Sequence, residues 1–332
     1  MREQDLVLGI DIGGTGTALG FVERSGALTQ YCAIPTRPAD SAEAFVVALH
    51  RRIEALRAEI PFPHRLAGIG IGAPNAHPVR GTLEEPVNLD WGATVDLTAL
   101  VRKYYDLPVE LTNDAKAAAA GEMLFGGARG MKHFIVVTLG TGLGCGIVAD
   151  GRVLTGASGF AGELGHMTVD PNGRECRCGK RGCLETYVSA TGLVRTVLAL
   201  LAKRCDPSPL RRCAADALTA HKVFELASAG DAISLCAFDR TARILGMKLA
   251  DAVACLSPEA VFLSGGLAAA GDLIVAPAGR YMNDYLFRAY RGTVRLLPSA
   301  LKPGEGAVLG AAALVWRRLA AEDAFGRKEG AA

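Results

Sequence analysis

The chain has 332 residues, half of them hydrophobic and 21% charged, which suits two globular domains and excludes a largely disordered or fibrous protein. Its 36 Lys and Arg against 34 Asp and Glu leave a formal charge of only +2, so a whole-chain electrostatic footprint for nucleic acid or an anionic membrane is absent. The start, MREQDLVLGID, puts acidic residues where an export signal needs a basic start and an apolar run, and no stretch approaches the ~18 uninterrupted apolar residues of a spanning helix. The expectation is a soluble, cytoplasmic protein with neither nucleic acid nor membrane as partner.

In chain order, LVLGID at Leu6 to Asp11, ALGFVE at Ala18 to Glu23 and LTQYCAI at Leu28 to Ile34 read as an antiparallel meander with Gly-bearing turns. Ser41 is the expected N-cap of a helix that runs to about Ile60, where Pro61 and Pro63 stop it. LAGIGIG is a buried strand, Val95 to Tyr105 a helix, and VELTND a strand that delivers Asn113 and Asp114 to its carboxyl end. The segment His133 to Gly156 then repeats the pattern of Leu6 to Thr29: strand, a Gly/Thr-rich turn (LGTGLG against IGGTGT), strand, a tight turn and a third strand. Beyond about Leu193 the pattern is helical, notably Asp231 to Leu256, before the strand AVFLSGG and a last helix from Gly306 to about Leu319. The expected division is a small α/β domain, 1–118, completed by the C-terminal helix 306–332, and a large α/β domain, 119–305.

Nine cysteines in a chain long enough to bury its own core, with no export signal, do not read as disulfides. Cys32, Cys145, Cys205, Cys213, Cys236 and Cys255 are scattered and are expected as small buried apolar side chains. Cys176, Cys178 and Cys183 fall within eight residues and need another explanation. With His166 they supply three thiolates and one imidazole, the ligand set of a closed, tetrahedral structural Zn²⁺ site within a loop at 163–189. Gly179 and Gly182 let that chain turn tightly. Four protein ligands leave no position for an activated water, so such a metal shapes a site and does no hydrolysis.

A turn of Gly and Thr between two strands exposes consecutive backbone N–H groups and hydroxyls, which suits a phosphate oxygen. Neither turn is a Walker A loop or a GxGxxG entering a helix. One such hairpin alone is an ordinary tight turn; two related ones in one chain favour phosphate. Gly265 and Gly266 follow a strand at the entrance to a helix, where a flat base and ribose would fit. Glu163 and Glu185 bracket the cysteine cluster, either as acceptors of sugar hydroxyls or as solvated surface acids. Asp114 has the chemistry of a general base on a hydroxyl.

Together these motifs resemble the ROK family of sugar kinases and repressors: DIGGTGT from Asp11, Asn113 with Asp114, LGTGLGCG from Leu139, and above all E-x-G-H followed by C-x-C-G-x2-G-C-x-E. The resemblance implies an α/β, actin-like ATPase (ribonuclease H-like) fold of two domains around a cleft. It implies Asp114 as catalytic base and Asn113, Glu163, His166 and Glu185 as hexose ligands. Gly13, Gly14 and Thr15 match the first phosphate loop, Thr141 and Gly142 the second, Gly265 and Gly266 the adenosine motif, and Asp11 helps hold Mg²⁺. The implied cofactors are ATP with Mg²⁺ and one structural Zn²⁺, and the implied assembly is a homodimer or higher homo-oligomer. PVNLDWG, Pro86 to Gly92, resembles the element of members that phosphorylate glucose. The expected reaction is ATP-dependent conversion of glucose to glucose 6-phosphate. Other acceptors (N-acetylmannosamine, N-acetylglucosamine, fructose, allose), polyphosphate as donor, and a sugar-responsive regulator are the alternatives. The regulator is disfavoured because only ten residues precede Asp11, too few for a winged-helix region.

Overall fold

The computed structural model describes residues 3–36, 41–86, 89, 91–214, 216–302 and 304–329. The chain divides into two compact units: residues 1–130 with 153–161 and 300–332, and residues 131–152 with 162–299.

In the first unit, β1 (Gln4–Ile12) is flanked on one side by the antiparallel β2 (Gly16–Glu23) and β3 (Leu28–Pro35). The helix α1 (Ala42–Ala58) follows, its N-terminus capped by the Ser41 side chain, which accepts from the Ala44 N–H. Its apolar residues Phe45, Val46, Leu49, Ile53 and Leu56 recur at helical spacing and are all buried against the sheet. The chain returns as β4 (His64–Gly72), parallel to β1. A small three-stranded sheet of β5 (Ala76–His77), β6 (Thr82–Glu84) and β7 (Thr94–Val95) was not expected from the sequence, since two- and three-residue strands carry no readable periodicity. It takes Val95 from the expected helix, so α2 is only Leu97–Arg102, capped by Asp96. Then come β8 (Val109–Thr112), parallel to β4, and α3 (Asp114–Leu124).

In the second unit β9 (Phe134–Leu139) pairs antiparallel with β10 (Leu143–Ala149), and β11 (Arg152–Val153) forms the edge. The helices α4 (Ala190–Lys203), α5 (Ala220–Ser228) and α6 (Ala232–Leu256) lead to β12 (Ala260–Ser264), parallel to β9. After α7 (Val275–Tyr285), β13 (Arg295–Pro298) closes the sheet beside β12. The last helix, α8 (Gly306–Glu329), rejoins the first unit, running ten residues past the apolar pattern that ends near Leu319 and within the 306–332 expected for the C-terminal helix.

The duplication read from the sequence reappears as topology. The two sheets run β3-β2-β1-β4-β8 and β11-β10-β9-β12-β13, in each case third, second, first, fourth and fifth strand of the sheet. The third strand differs, eight residues in one unit and two in the other.

The expected boundary at 118/119 would cut α3, whereas the contact division falls at 130/131 and again at 299/300. The reason lies in how α3 packs. A Cβ on Gly121 would approach the Gly310 Cα of α8 to 2.9 Å, so the two helices touch backbone to backbone and α3 cannot leave the first unit. Likewise α8 lies directly on the sheet, where a Cβ on Gly9 or Gly70 would sit 2.1 or 1.9 Å from a carbonyl oxygen of α8. That approach explains Gly68 and Gly70 among the alternate glycines of LAGIGIG, while the third, Gly72, lies against Ala117 of α3. Of the six scattered cysteines only Cys145 is buried; Cys205 lies just past the end of α4 and Cys255 in the last turn of α6, where both face solvent.

Candidate functional site

In the first unit the carboxyl ends of three parallel strands lie side by side: Asp11 of β1 is opposite Gly72 of β4, and Gly72 is opposite Thr112 of β8. Carboxyl ends of parallel strands are where open α/β sheets place ligands. Asn113 caps α3, its Oδ1 accepting from the Ala115 N–H at 3.0 Å, and Asp114 Oδ1 accepts from the same group at 2.8 Å. Asp114 is open at its surface yet ringed by protein at longer range. That desolvation raises its carboxyl above the usual range, against the pull of the Ala115 N–H and of Asn113. Asp11 is pushed up to about 6, first by burial and second by the charge of Asp114.

The first glycine-rich turn is closed by Gly13 N–H donating to the Gly16 carbonyl at 2.9 Å. Two threonines brace it: Thr36 Oγ1 donates to the Gly13 carbonyl at 2.7 Å and lies 2.9 Å from Thr17 Oγ1, and Thr36 N–H donates to the Thr15 carbonyl. Thr17 and Thr36 were not singled out in the sequence, because a threonine that braces a loop looks like any strand threonine. None of Gly13, Gly14, Gly140 and Gly142 has a positive φ. These glycines serve by lacking a side chain and not by left-handed backbone.

The second turn, Gly140 to Gly142, is closed by Gly140 N–H to the Gly142 carbonyl at 3.0 Å. Three groups hold it from outside. Ala190 N–H, in the first turn of α4, donates to the Gly140 carbonyl, and Thr191 Oγ1 donates to the Thr141 carbonyl. Glu185 Oε2 accepts from the Leu143 N–H at 2.9 Å. Beside this turn lies a cavity of about 550 Å³ whose walls include Gly140, Thr141, His221, Phe224, Phe238 and Gly266. Gly265, at φ +92° and packed on the Leu139 carbonyl, brings Gly266 to that wall. Its apolar aromatic lining with a Gly/Thr turn at one edge suits a flat base whose phosphates meet the turn. His221 and Phe224, one helical turn apart on α5, are additions that sequence reasoning missed, since α5 carried no motif.

His166, Cys176, Cys178 and Cys183 do converge: one ligand atom from each lies within 4.8 Å of all the others. Cys176 Sγ is 3.8 Å from His166 Nδ1, and Cys178 Sγ is 3.6 Å from Cys183 Sγ. A tetrahedron with metal–sulfur bonds of ~2.3 Å has edges of ~3.8 Å, so the donor set and its spacing fit Zn²⁺. Burial, with the two neighbouring thiols, pushes Cys183 up to about 12, so a bound cation is what would hold it as a thiolate. Both expected glycines have positive φ, and at Gly182 (+71°) a Cβ would fall 1.6 Å from the Asp170 carbonyl oxygen. His166 turns its other nitrogen, Nε2, toward Glu163 Oε2 at 3.8 Å. Arg174 seats the loop on α4: its guanidinium donates to the Thr186 and Gly192 carbonyls and to Thr196 Oγ1, and lies 4.4 Å over the Tyr187 ring.

Thus Asp11, Gly13, Gly14, Thr15, Asn113 and Asp114 belong to the first unit, and Thr141, Gly142, Glu163, His166, Cys176, Cys178, Cys183, Glu185, Gly265 and Gly266 to the second. Val87, Asn88 and Asp90 of the PVNLDWG element lie outside the described residues. Leu89 is buried there, and Trp91 packs 4.9 Å from the Phe45 ring. No helix among the described residues is long and apolar enough to cross a membrane.

The sequence pattern of the ROK family matches residues 7–318. The chain is 36% identical to a glucokinase of Halalkalibacterium halodurans over 285 residues, covering 84% of this chain and 85% of that protein. It is 33% identical to a glucokinase of Thermotoga maritima, covering 94% and 98%. Among solved structures it is similar to a ROK family glucokinase from Streptomyces griseus in complex with glucose and AMPPNP, with a TM-score of 0.80, 32% identity, and 93% and 98% of the two chains covered. With two sheets of one strand order and a family match over nearly its whole length, the chain belongs to the ROK family and has its actin-like ATPase fold.

Proposed function

We propose that this ROK-family sugar kinase transfers the γ-phosphoryl group of ATP to glucose, giving glucose 6-phosphate, with Asp114 as general base. The observation that carries the reading is Asp114 itself: a solvent-reachable carboxylate fixed at the start of α3, at the carboxyl end of β8, with its affinity for a proton raised by desolvation. Such a carboxylate is a better proton acceptor than a fully solvated one. Phosphoryl transfer passes through a loose transition state, so the protein's contribution is positioning and charge stabilisation. Asp114 orients the sugar hydroxyl and takes its proton as the new O–P bond forms. The adenine fits the apolar cavity beside Thr141 and Gly266, where the Thr141–Gly142 turn offers its N–H groups to the phosphates; the Gly13–Thr15 turn of the first unit presents donors of the same kind. Asp11, at the carboxyl end of β1, would help hold the Mg²⁺ that accompanies ATP, which would neutralise charge on the phosphates.

Asn113 has its Oδ1 engaged by the Ala115 N–H, so it offers the sugar its NH₂ as donor. Glu163, His166 and Glu185 are the remaining hexose ligands. His166, Cys176, Cys178 and Cys183 would hold a Zn²⁺ whose contribution is rigidity, fixing the imidazole and the two glutamates that bracket the loop. Similarity at 33–36% identity to proteins named glucokinase supports glucose as the acceptor.

A coupled ADP-release assay over a panel of hexoses, run with ATP and again with polyphosphate, tests the proposal. Glucose with ATP is expected to give the highest kcat/KM. A chain that bound glucose yet released no ADP with any sugar would instead be a sugar-responsive regulator.

A further inference from the structure

Glu185 is expected to meet the hexose, yet one of its carboxylate oxygens is already spoken for. Oε2 accepts the N–H of Leu143, the residue that ends the Gly140–Gly142 turn, at 2.9 Å. The fit is close: a Cβ on Gly142 would fall 2.3 Å from that same oxygen. On its other side Glu185 stands two residues beyond Cys183, a member of the Cys/His cluster, and its carbonyl accepts from Ser189 Oγ at 2.8 Å. Ser189 caps α4, and the first turn of α4 holds the carbonyls of Gly140 and Thr141. The donor-side turn is therefore braced by the very segment that carries the metal loop and a sugar-side carboxylate.

We infer that Glu185 is a positioning residue for the phosphoryl donor as well as a hexose ligand, so that one carboxylate couples the two substrates. Oε2 fixes the Thr141–Gly142 turn in a phosphate-accepting shape, while Oε1 is left to a sugar hydroxyl. A hydroxyl bound at Oε1 locks the rotamer that Oε2 needs, so hexose strengthens nucleotide binding, and by linkage nucleotide strengthens hexose binding by the same factor. The inference rests on the kinase reading above and deepens it.

The test is calorimetric titration of glucose and of AMPPNP with Mg²⁺, each alone and each in the presence of the other, on the wild-type protein and three variants. Glu185→Ala removes the brace and the ligand, and both affinities should fall, that for AMPPNP without sugar by ~10-fold or more, the size of one lost charge-assisted hydrogen bond. Glu185→Gln keeps a carbonyl oxygen for the Leu143 N–H but presents NH₂ on its other side. AMPPNP affinity should return to within about threefold of wild type while glucose affinity stays low. Gly142→Ala, a change in the donor turn alone, should lower glucose affinity measured without nucleotide by ~5-fold or more, because its methyl displaces the carboxylate.

Glucose affinity unchanged in Gly142→Ala, or AMPPNP affinity unchanged in Glu185→Ala, overturns the inference. Metal content and circular dichroism of each variant, matched to wild type, separate a local effect from misfolding, with Gly142→Ala standing as the test should the Glu185 variants lose the metal. A wild-type protein that bound neither glucose nor AMPPNP would refute the kinase reading itself, whereas binding of both with no mutual effect refutes only the coupling.

Discussion

Asp11 and Asp114 stand at the carboxyl ends of two parallel strands with Gly72 of a third between them; a Cβ at Gly72 would lie 3.7 Å from Asp11 Oδ1 and 3.6 Å from Asp114 Cα. The two carboxyl groups therefore feel one another. Burial and the charge of Asp114 lift Asp11 to about 6, and burial raises Asp114 as well. The proposed mechanism needs both ionised, Asp114 to accept a proton and Asp11 to attract Mg²⁺, so on that proposal kcat/KM for glucose should fall as pH drops through about 6, well above the usual carboxylate range. A pH–rate profile flat down to pH 5 would contradict this.

Asp114→Asn leaves the Asn113 cap of α3 in place and keeps a side-chain oxygen for the Ala115 N–H, but cannot take a proton. Turnover should drop by ~10²–10⁴-fold while glucose affinity and circular dichroism change little. Retention of more than a tenth of wild-type kcat by a folded protein would remove Asp114 from the role of base.

The same raised proton affinity has a cost in stability. An aspartate that holds its proton more tightly folded than unfolded destabilises the fold wherever it is ionised. The penalty is absent below the ordinary aspartate value and complete above about 6. Asp11→Asn should therefore stabilise the folded protein at pH 8 by roughly 1–3 kcal/mol, with the gain vanishing toward pH 4. Urea unfolding at the two pH values measures it, and an Asp11→Asn protein no more stable than wild type at pH 8 would show that Asp11 sits there unstrained.

Much of this was legible in the chain because each signal was local. The Cys/His spacing and the two positive-φ glycines specified the metal loop, and the strand–turn–strand repeat reappeared as two sheets of one order. What escaped was carried by contacts between residues distant in sequence. The alanine-rich segment after Asp114 holds the expected 118/119 boundary, with no linker composition to place it elsewhere. It is a helix that packs through Gly121 on Gly310, a partner 189 positions away, and no periodicity in either segment announces that. The brace of Glu185 on Leu143 spans 42 residues and was equally silent, and so was the grip of Thr36 on the first turn.

The packing of α8 gives a test independent of catalysis. A methyl at position 70 would lie 1.9 Å from the Ala311 carbonyl oxygen, backbone against backbone, with no side chain free to yield. Gly70→Ala should therefore lift α8 from the sheet and cost ~3 kcal/mol or more, exposing the buried face that includes Val308, Val315 and Trp316. Limited proteolysis should then cut within α8 under conditions that leave the wild-type protein intact. A Gly70→Ala protein with an unchanged melting temperature would show that this close approach is not required.

The metal loop offers the last prediction. The isolated protein should carry one Zn²⁺ per chain, held by His166, Cys176, Cys178 and Cys183. Cys178 is the exposed member of the set, so Cys178→Ser changes almost no packing and isolates the loss of a thiolate. Three remaining ligands retain a metal more weakly, so the variant should lose Zn²⁺ to a chelator concentration that the wild-type protein resists. Because His166 Nδ1 faces the thiols while Nε2 faces Glu163, losing the metal frees both the imidazole and its neighbouring carboxylate. Glucose affinity should then fall by ~10-fold or more, the size of one lost charge-assisted hydrogen bond to the sugar. Elemental analysis before and after chelation, followed by glucose titration, reads both effects on one sample. A metal-free protein with undiminished glucose affinity would detach the cluster from the sugar site and leave it a stabiliser of the loop alone.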